Sequence, residues 1–176
     1  MSKRSAAVTE LENHLREMVG PSGALLETRW VGRLVELMRE TENTEAREYL
    51  LRVLLATPQA DKTTPSRFIQ LGGVELLGRW INEHRKENDP EDKQVLHSVL
   101  SCLNKLNISL ETLQRTDIGK IVNGLNKHVD SSISAKAVSI VSKWKKQVAP
   151  PSEKGSESAQ KITKLVKETR IAPIKR

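Results

Sequence analysis

The chain of 176 residues contains one cysteine, few aromatic side chains and no long apolar run. The single cysteine, Cys102, excludes an internal disulfide and favours a reducing compartment. Three tryptophans, one tyrosine and one phenylalanine leave few rings to stack on bases, which disfavours single-strand nucleic-acid binding. No apolar run approaches the roughly 18 residues of a membrane span, and the polar start MSKRSAAVTELENH has no signal-peptide core. We expect a cytosolic or nuclear protein.

Strand patterns are missing as well. No stretch alternates apolar and polar residues for long, so the sequence predicts an all-α fold. Apolar residues instead recur at three- and four-residue spacing between Gly-Pro, Gly-Gly and Asn-Ile breaks. The predicted helices cover about 5–19, 24–40, a segment around 49–54, a short helix ending near 71, 74–84, 90–106, a short helix ending near 113, 118–129 and 133–148.

Several positions carry more specific predictions. Asp89, followed by a proline, gives the clearest helix start, with a capping carboxylate before a proline at the first helical position. Leu26 and Val129 fall on the apolar stripes of their helices and are predicted to be buried. Gly119 and Gly124 lie inside a helix, where each costs about 1 kcal/mol against alanine, and predict the close approach of a neighbouring helix.

No group of residues carries catalytic or metal-binding chemistry. His97 and Cys102 are five residues apart on one helix, which separates them by roughly 140° around its axis. The histidines share no i, i+4 spacing and have no second cysteine, so a zinc site is not expected. Glu42, Glu45 and Glu48 are predicted to form a solvated, salt-bridged helix face. We expect neither an enzyme nor a cofactor.

Charge is unevenly distributed along the chain. Residues 5–149 hold 20 basic and 19 acidic side chains, whereas residues 1–4 and 150–176 hold 9 basic and 3 acidic ones. Within the first set, residues 115–149 carry 7 basic side chains against 2 acidic ones. A basic face of this kind attracts acidic peptides or nucleic acid, and a solvated helix surface is the alternative.

The last quarter of the chain resembles a known family. TDIGKIVNGLNKH at 116–128 and ISAKAVSIVSKWKKQV at 133–148 resemble the closing helices of the N-terminal domain (LW domain) of the transcription elongation factor TFIIS. The chain departs from the family at Asn126, where the family usually has arginine. The matching positions are Thr116, Ile118, Gly119, Lys120, Val122, Asn123, Leu125, Lys127, His128, Ile140, Val141, Trp144 and Lys145.

This resemblance implies a compact right-handed bundle of about eight helices that acts in the nucleus, as a monomer, in RNA polymerase II transcription. Such domains serve as docking scaffolds for short disordered, acidic-hydrophobic motifs of transcription elongation and chromatin proteins. Contacts come from loops at one end of the bundle and from the adjoining basic helix. Carried onto this chain, the peptide-binding candidates are Phe68, Gln70, Leu106, Asn107, Ile108, Lys120, Asn123, Lys127, Lys143 and Lys146. For Phe68, Leu106 and Ile108, an ordinary core position is the alternative.

Two other functions stay open. RFIQLGGVELLGRWINEH at 67–84 is similar to a long form of this domain found in a nuclear targeting subunit of protein phosphatase 1, although the usual Val- or Ile-x-Phe/Trp docking peptide is missing here. Pro150-Pro151 is predicted to end the domain at residue 149, and 150–176 to form a disordered basic tail. That tail could bind nucleic acid or chromatin.

Overall fold

The computed structural model of the protein describes residues 5–58 and 62–148, so the predicted tail at 150–176 lies outside the described residues. Within those ranges the chain forms nine α-helices and two short 3-10 helices, which confirms the predicted all-α bundle. The α-helices are α1 (Ala6–Leu15), α2 (Val31–Glu40), α3 (Thr44–Ala56), α4 (Thr63–Gln70), α5 (Gly73–His84), α6 (Pro90–Lys105), α7 (Leu110–Arg115), α8 (Ile118–Asn123) and α9 (Ser131–Val148). The 3-10 helices are Thr28–Trp30 and Gly124–Lys127.

Four of the described α-helices, α1, α3, α7 and α9, begin at a polar side chain that accepts a hydrogen bond from the first turn. Ser5 caps α1, Asn43 caps α3 with a 2.9 Å bond from the Ala46 N–H, and Ser109 caps α7. The predicted cap at Asp89 is wrong, because its carboxylate makes no bond to the first turn of α6. That helix starts where it was predicted, with proline at its first position and acids in its first turn.

One continuous apolar core joins the described helices, from Val8 on α1 to Trp144 on α9. Trp80 and Phe68 are its largest fully buried side chains. Cys102 is buried among them and its thiol donates to the Leu51 carbonyl oxygen, as expected for a core thiol. Because each helix contributes one apolar stripe to this core, removal of any single helix would expose the stripes of its neighbours.

Three helices run parallel and in register through the bundle. Ser98 and Lys105 on α6 contact Glu48 and Leu55 on α3, so residue numbers rise together along the pair. On the other side of α6, His97 contacts Ser132 and Asn104 contacts Lys143, so α9 also runs parallel to α6. The starts of α3, α6 and α9 therefore share one end of the bundle, here called the amino end. Their last turns share the opposite, carboxyl end.

Helix α5 runs antiparallel to α6, because His84 in its last turn bonds Asp92 in the first turn of α6. It begins at the carboxyl end, where Gly72 adopts the left-handed conformation, with φ of 85°, between α4 and α5. It approaches α8 closely at Gly78, where an added Cβ would lie 3.0 Å from Cδ1 of Ile121. The prediction for Gly119 is wrong, since an added Cβ there would meet no atom within 4 Å.

Two predicted core residues are exposed. Leu26 has 58% of its surface exposed, and Val129 has 79%. Both lie outside the helices that their spacing suggested: the helix predicted from 24 starts only at 28–31, and the one predicted to reach 129 ends at 127. In the loops, helical periodicity no longer decides which way a side chain points.

The acidic stretch that begins α3 is only partly solvated. Glu42 and Glu45 are exposed, as predicted. Glu48 is buried, where its carboxylate accepts from the Ser98 hydroxyl at 3.2 Å and pairs with the Arg52 guanidinium at 2.6 Å. The predicted salt-bridged face therefore contributes one carboxylate to the interface between α3 and α6.

Candidate interaction surface

The carboxyl end of the bundle brings together the loop after α6 and the last turns of α9. The Gln147 side-chain amide donates to the Ile108 carbonyl oxygen at 3.2 Å, and Lys143 Nζ donates to the Asn104 carbonyl oxygen at 2.5 Å. Of the three contact residues predicted in the loop after α6, namely Leu106, Asn107 and Ile108, only Asn107 projects into solvent. The predicted loop and the predicted lysines of α9 are thus neighbours.

Lysines collect at this end because three helices finish there. Lys105 Nζ donates to two carbonyl oxygens at the end of α3, those of Leu55 and, at 3.1 Å, of Thr57. Lys143 Nζ donates in the same way to the Asn104 carbonyl oxygen at the end of α6. Unpaired carbonyls and the negative end of the helix dipole both favour ammonium groups. Within residues 5–58 and 62–148, neither lysine forms an ion pair with a carboxylate. The positive charge of these two lysines is therefore not balanced by a paired carboxylate in the described part of the chain.

A cleft of about 330 Å³ lies next to Lys105, which donates to the Thr57 carbonyl oxygen in its lining. Leu25, Leu26 and Pro58 form the apolar part of the lining, and Glu27, Thr28, Thr57 and Thr64 form the polar part. The loop is fixed, because the Leu26 N–H donates to the Met18 carbonyl at 2.8 Å and the Leu25 N–H donates to the Thr57 hydroxyl at 3.1 Å. Leu26 is thus an exposed apolar side chain on a rigid support, in a cleft whose Thr57 carbonyl oxygen accepts from the Lys105 ammonium group.

The structure separates the ten predicted contact residues into buried and exposed sets. Phe68, Leu106, Ile108 and Asn123 are at most 4% exposed, so their side chains belong to the interior of the bundle. Phe68 packs under the start of α5, and Leu106 and Ile108 fix the loop after α6 from below. These residues shape the surface without forming it.

The exposed predicted residues divide between the two ends. Gln70, Asn107, Lys143 and Lys146 lie toward the carboxyl end. Lys127 lies near the amino end, because its neighbour Asn126 accepts from Ser134 in the first turn of α9 at 2.6 Å. Twelve residues of helix between Ser134 and Lys146 correspond to about 18 Å. Lys120, on α8, lies between the two ends.

Two residues of this surface were missed by sequence reasoning. Lys105 carried a usable signal, because it occupies the last turn of a helix whose end was predicted at 106. Leu26 carried none, since its spacing placed it on a buried stripe. Only the observed loop between Gly20 and the 3-10 helix turns it outward.

The described residues contain no cluster suited to a metal ion. No group of three histidine, cysteine or acidic side chains is placed to hold an ion in this part of the chain. Burial raises the pKa of the Cys102 thiol to about 12, which keeps it protonated. His97 has a lowered pKa, chiefly through desolvation and secondly through Lys136, and its Nε2 lies 3.0 Å from the Ser132 hydroxyl. The two remain on different faces, as predicted.

Part of this chain matches a known family model. Residues 98–148, from the middle of α6 to the end of α9, match the Med26 family model, which describes a TFIIS helical bundle-like domain. The resemblance to the TFIIS N-terminal domain is confirmed. The matched TFIIS-like segment contains the α6–α7 loop, α8 and α9, and hence the predicted residues from 106 onward. The cleft around Leu26 lies outside it.

The relatives include two kinds of protein. Serine/threonine-protein phosphatase 1 regulatory subunit 10 is 26% identical over 77% of this chain in Xenopus laevis and 25% identical over 90% in Sus scrofa. The probable mediator of RNA polymerase II transcription subunit 26a of Arabidopsis thaliana is 35% identical over 39% of the chain. The chain spans 16% of the length of the first two relatives and 12% of the third. Among the described residues, no helix has the length and apolar character to span a membrane.

Proposed function

We propose that this chain is a non-enzymatic protein-interaction domain that acts in the nucleus in RNA polymerase II transcription elongation or termination. It docks short disordered segments of partner proteins at the carboxyl end of the bundle. The TFIIS-like segment and the names of the relatives support the setting in transcription. The observation that carries the docking site is the cleft at the exposed Leu26, next to Lys105 and at the same end of the bundle as Lys143.

The chemistry of this surface defines its ligand. A cleft of about 330 Å³ accepts one large apolar side chain of an incoming segment against Leu26 and Pro58. Acidic residues that flank this anchor then face Lys105, Lys143 and Lys146, with Asn107 and Gln70 as polar neighbours. Burial of one such anchor supplies about 1.5–3 kcal/mol, and the lysines mainly accelerate and orient the encounter. Lys120 and Lys127 belong to the proposed site only if the segment continues along α8.

The test uses the full chain as bait in nuclease-treated nuclear extract, with bound proteins identified by mass spectrometry. Leu26→Glu places a negative charge in the cleft without touching the core, because the side chain is already exposed. Val129→Glu is its matched control, since it changes an exposed apolar residue of the other end in the same way. Lys120→Glu combined with Lys127→Glu tests the α8 face separately.

We expect elongation or termination factors on the wild type and on the Val129 variant, and their loss on the Leu26 variant. A peptide from a recovered factor should then bind the Leu26 variant about tenfold to a hundredfold more weakly. Loss confined to the Lys120 and Lys127 variant would move the site to α8. Recovery that depends on nucleic acid, or no recovery at all, would overturn the proposed function.

Phosphatase targeting is the second candidate, because regulatory subunit 10 aligns with 77–90% of this chain. The aligned part covers 16% of those proteins, and this chain lacks the Val- or Ile-x-Phe/Trp peptide expected for direct docking. We therefore expect the catalytic subunit of protein phosphatase 1 to be absent from the capture by this chain. Its stoichiometric recovery would favour phosphatase targeting over the proposed docking role.

A further inference from the structure

The first three helices form a second cleft, at the amino end of the bundle. It has a volume of about 270 Å³ and an apolar floor made by Ala7, Leu11, Leu37 and Ala46. The cleft borders the start of α3, whereas the Leu26 cleft borders its end. It also lies outside the TFIIS-like segment at 98–148. Nothing in the proposed function uses it.

The rim of this cleft is acidic. Glu10, Glu40 and Glu42 line it and are exposed. Among the described residues none of the three carboxylates has an ion-pair partner. His14, which also lines the cleft, donates from Nδ1 to the Glu10 carbonyl oxygen at 3.0 Å and so bonds within its own helix. Three negative charges thus surround an apolar floor, an arrangement complementary to a basic amphipathic segment.

We infer that residues 161–170 of this same chain, KITKLVKETR, dock in the cleft as a short helix. The segment carries Ile162, Leu165 and Val166 at the i, i+3 and i+4 positions of one helical stripe. At about 100° per residue, Lys161 and Arg170 lie roughly 90° to either side of that stripe. The stripe matches the apolar floor and the flanking cations match the three glutamates of the rim.

The connection is long enough to reach. Gln147, near the end of α9, contacts Ile108 at the carboxyl end, and Lys105 in turn contacts Thr57 at the end of α3. From there the cleft is about 17 Å away along the eleven helical residues back to Ala46. Residues 149–160 span up to about 40 Å when extended, which leaves roughly 20 Å to cross from the end of α9 to the end of α3.

The test places a nitroxide spin label in the full chain at Thr163→Cys, which lies roughly 110° around the proposed helix from the centre of the apolar stripe. Cys102 needs no replacement, because it is buried and the label therefore reacts at the introduced cysteine. The readout is the set of backbone amide NMR signals with the label oxidised and reduced. We expect the oxidised label to remove the signals of residues 7–14 and 37–46 and to spare those around Leu26 and Lys143.

Two matched triple variants remove three exposed carboxylates each and so change the net charge equally. The variant of the rim is Glu10→Gln, Glu40→Gln and Glu42→Gln; the control is Glu17→Gln, Glu75→Gln and Glu111→Gln. The rim variant should restore the lost signals, and the control should not. Because all six side chains are exposed, both variants should keep the wild-type melting temperature.

Several results would overturn the inference. Signal loss spread over the whole surface, or absent from the cleft, would show that the segment docks elsewhere or not at all. If both triple variants restored the lost NMR signals equally, the docking would depend on net charge and not on the rim of the cleft. A further experiment mixes spin-labelled protein with an isotope-enriched copy that carries no spin label. Signal loss in the enriched copy would show that the segment of one molecule docks on another.

Discussion

A methyl group on Gly73 would lie 2.3 Å from Cε1 of Phe68. Gly73 begins α5, and the Phe68 ring beneath it is fully buried, so the ring has no space into which to turn. The ring occupies the position of the missing side chain and thereby fixes how α4 meets α5. The Gly-Gly break seen in the sequence serves a turn at Gly72 and a close contact at Gly73.

Gly73→Ala should therefore destabilise the domain by about 1–3 kcal/mol, the usual cost of overpacking. Gly119→Ala is the matched control, because its added methyl meets no atom within 4 Å. That substitution should stabilise α8 by about 0.5–1 kcal/mol. Urea unfolding of both variants checks the pair, and equal effects of the two would contradict the proposed role of Phe68.

Arg47→Ala should cost about 2–4 kcal/mol of unfolding free energy. The Arg47 side chain is only 7% exposed, donates to Glu83 at 2.5 Å and to the Thr41 carbonyl at 3.0 Å, and lies 5.0 Å from the centroid of Trp80. It also donates to Nε2 of His84, whose Nδ1–H then donates to Asp92. Truncation leaves Nε2 of the buried His84 without this donor, and it removes one donor from the half-buried Thr41 carbonyl and from the exposed Glu83 carboxylate.

Arg79→Ala provides the comparison for Arg47. Arg79 reaches the same carboxylate, Glu83, but at 3.6 Å and with half of its side chain exposed. Its loss should cost less than about 1 kcal/mol. If calorimetry gave similar melting temperatures for both alanine variants, the buried network would not be the source of the stability.

Cys102 should make the stability fall at high pH. Burial raises the pKa of its thiol from the ordinary value of 9.0 to about 12. Its contribution is complete below pH 9, because the thiol is then protonated in both states, and is lost between pH 9 and 12 as the unfolded chain ionises first. The slope approaches about 1.4 kcal/mol per pH unit. Cys102→Ala should lack this component, so the gap between the two proteins in urea unfolding should narrow above pH 9.

Asp130→Ala should lower the melting temperature by removing the cap of α9. The Asp130 carboxylate accepts from the N–H groups of Ile133, at 3.3 Å, and of Ser132, at 2.9 Å, and these bonds lower its pKa. Asp130→Asn keeps an acceptor without the charge and should lie between alanine and wild type. Because the pKa of Asp130 is lowered in the folded state, its carboxylate stabilises the fold fully above the unfolded-state pKa of 3.8. This stabilisation is lost as the pH falls through the folded-state pKa. The difference in melting temperature between the wild type and Asp130→Asn should therefore vanish in acid.

Much of the fold could be predicted from the sequence. The all-α class, the start of α6 at Pro90, the break at Gly72 and the buried Cys102 all follow from patterns within about one helix of sequence. The errors at Leu26 and Val129 have one cause, because each lies just beyond the end of a helix. Periodicity continued past such an end predicts burial that the loop does not provide.

The candidate surface was less predictable, since it depends on how helices align along their axes. Periodicity identified the buried stripes of α3, α6 and α9 but carried no information on their relative direction or register. Their parallel register is what places Lys105 and Lys143 at one end and Lys127 toward the other. The glycine prediction failed for the same reason, because Gly78 and not Gly119 faces the neighbouring helix.

The sequence by itself determined the helical class, most helix positions, the identity of the core residues and the resemblance to the TFIIS domain, because each is encoded in short-range spacing. Only the tertiary structure decided that Leu26 faces solvent in a cleft next to Lys105, and that three glutamates surround an apolar floor. Those groupings join residues that are far apart in the sequence, such as Leu26 and Lys105. Shape-complementary packing of buried side chains sets such distances, and no local pattern records it.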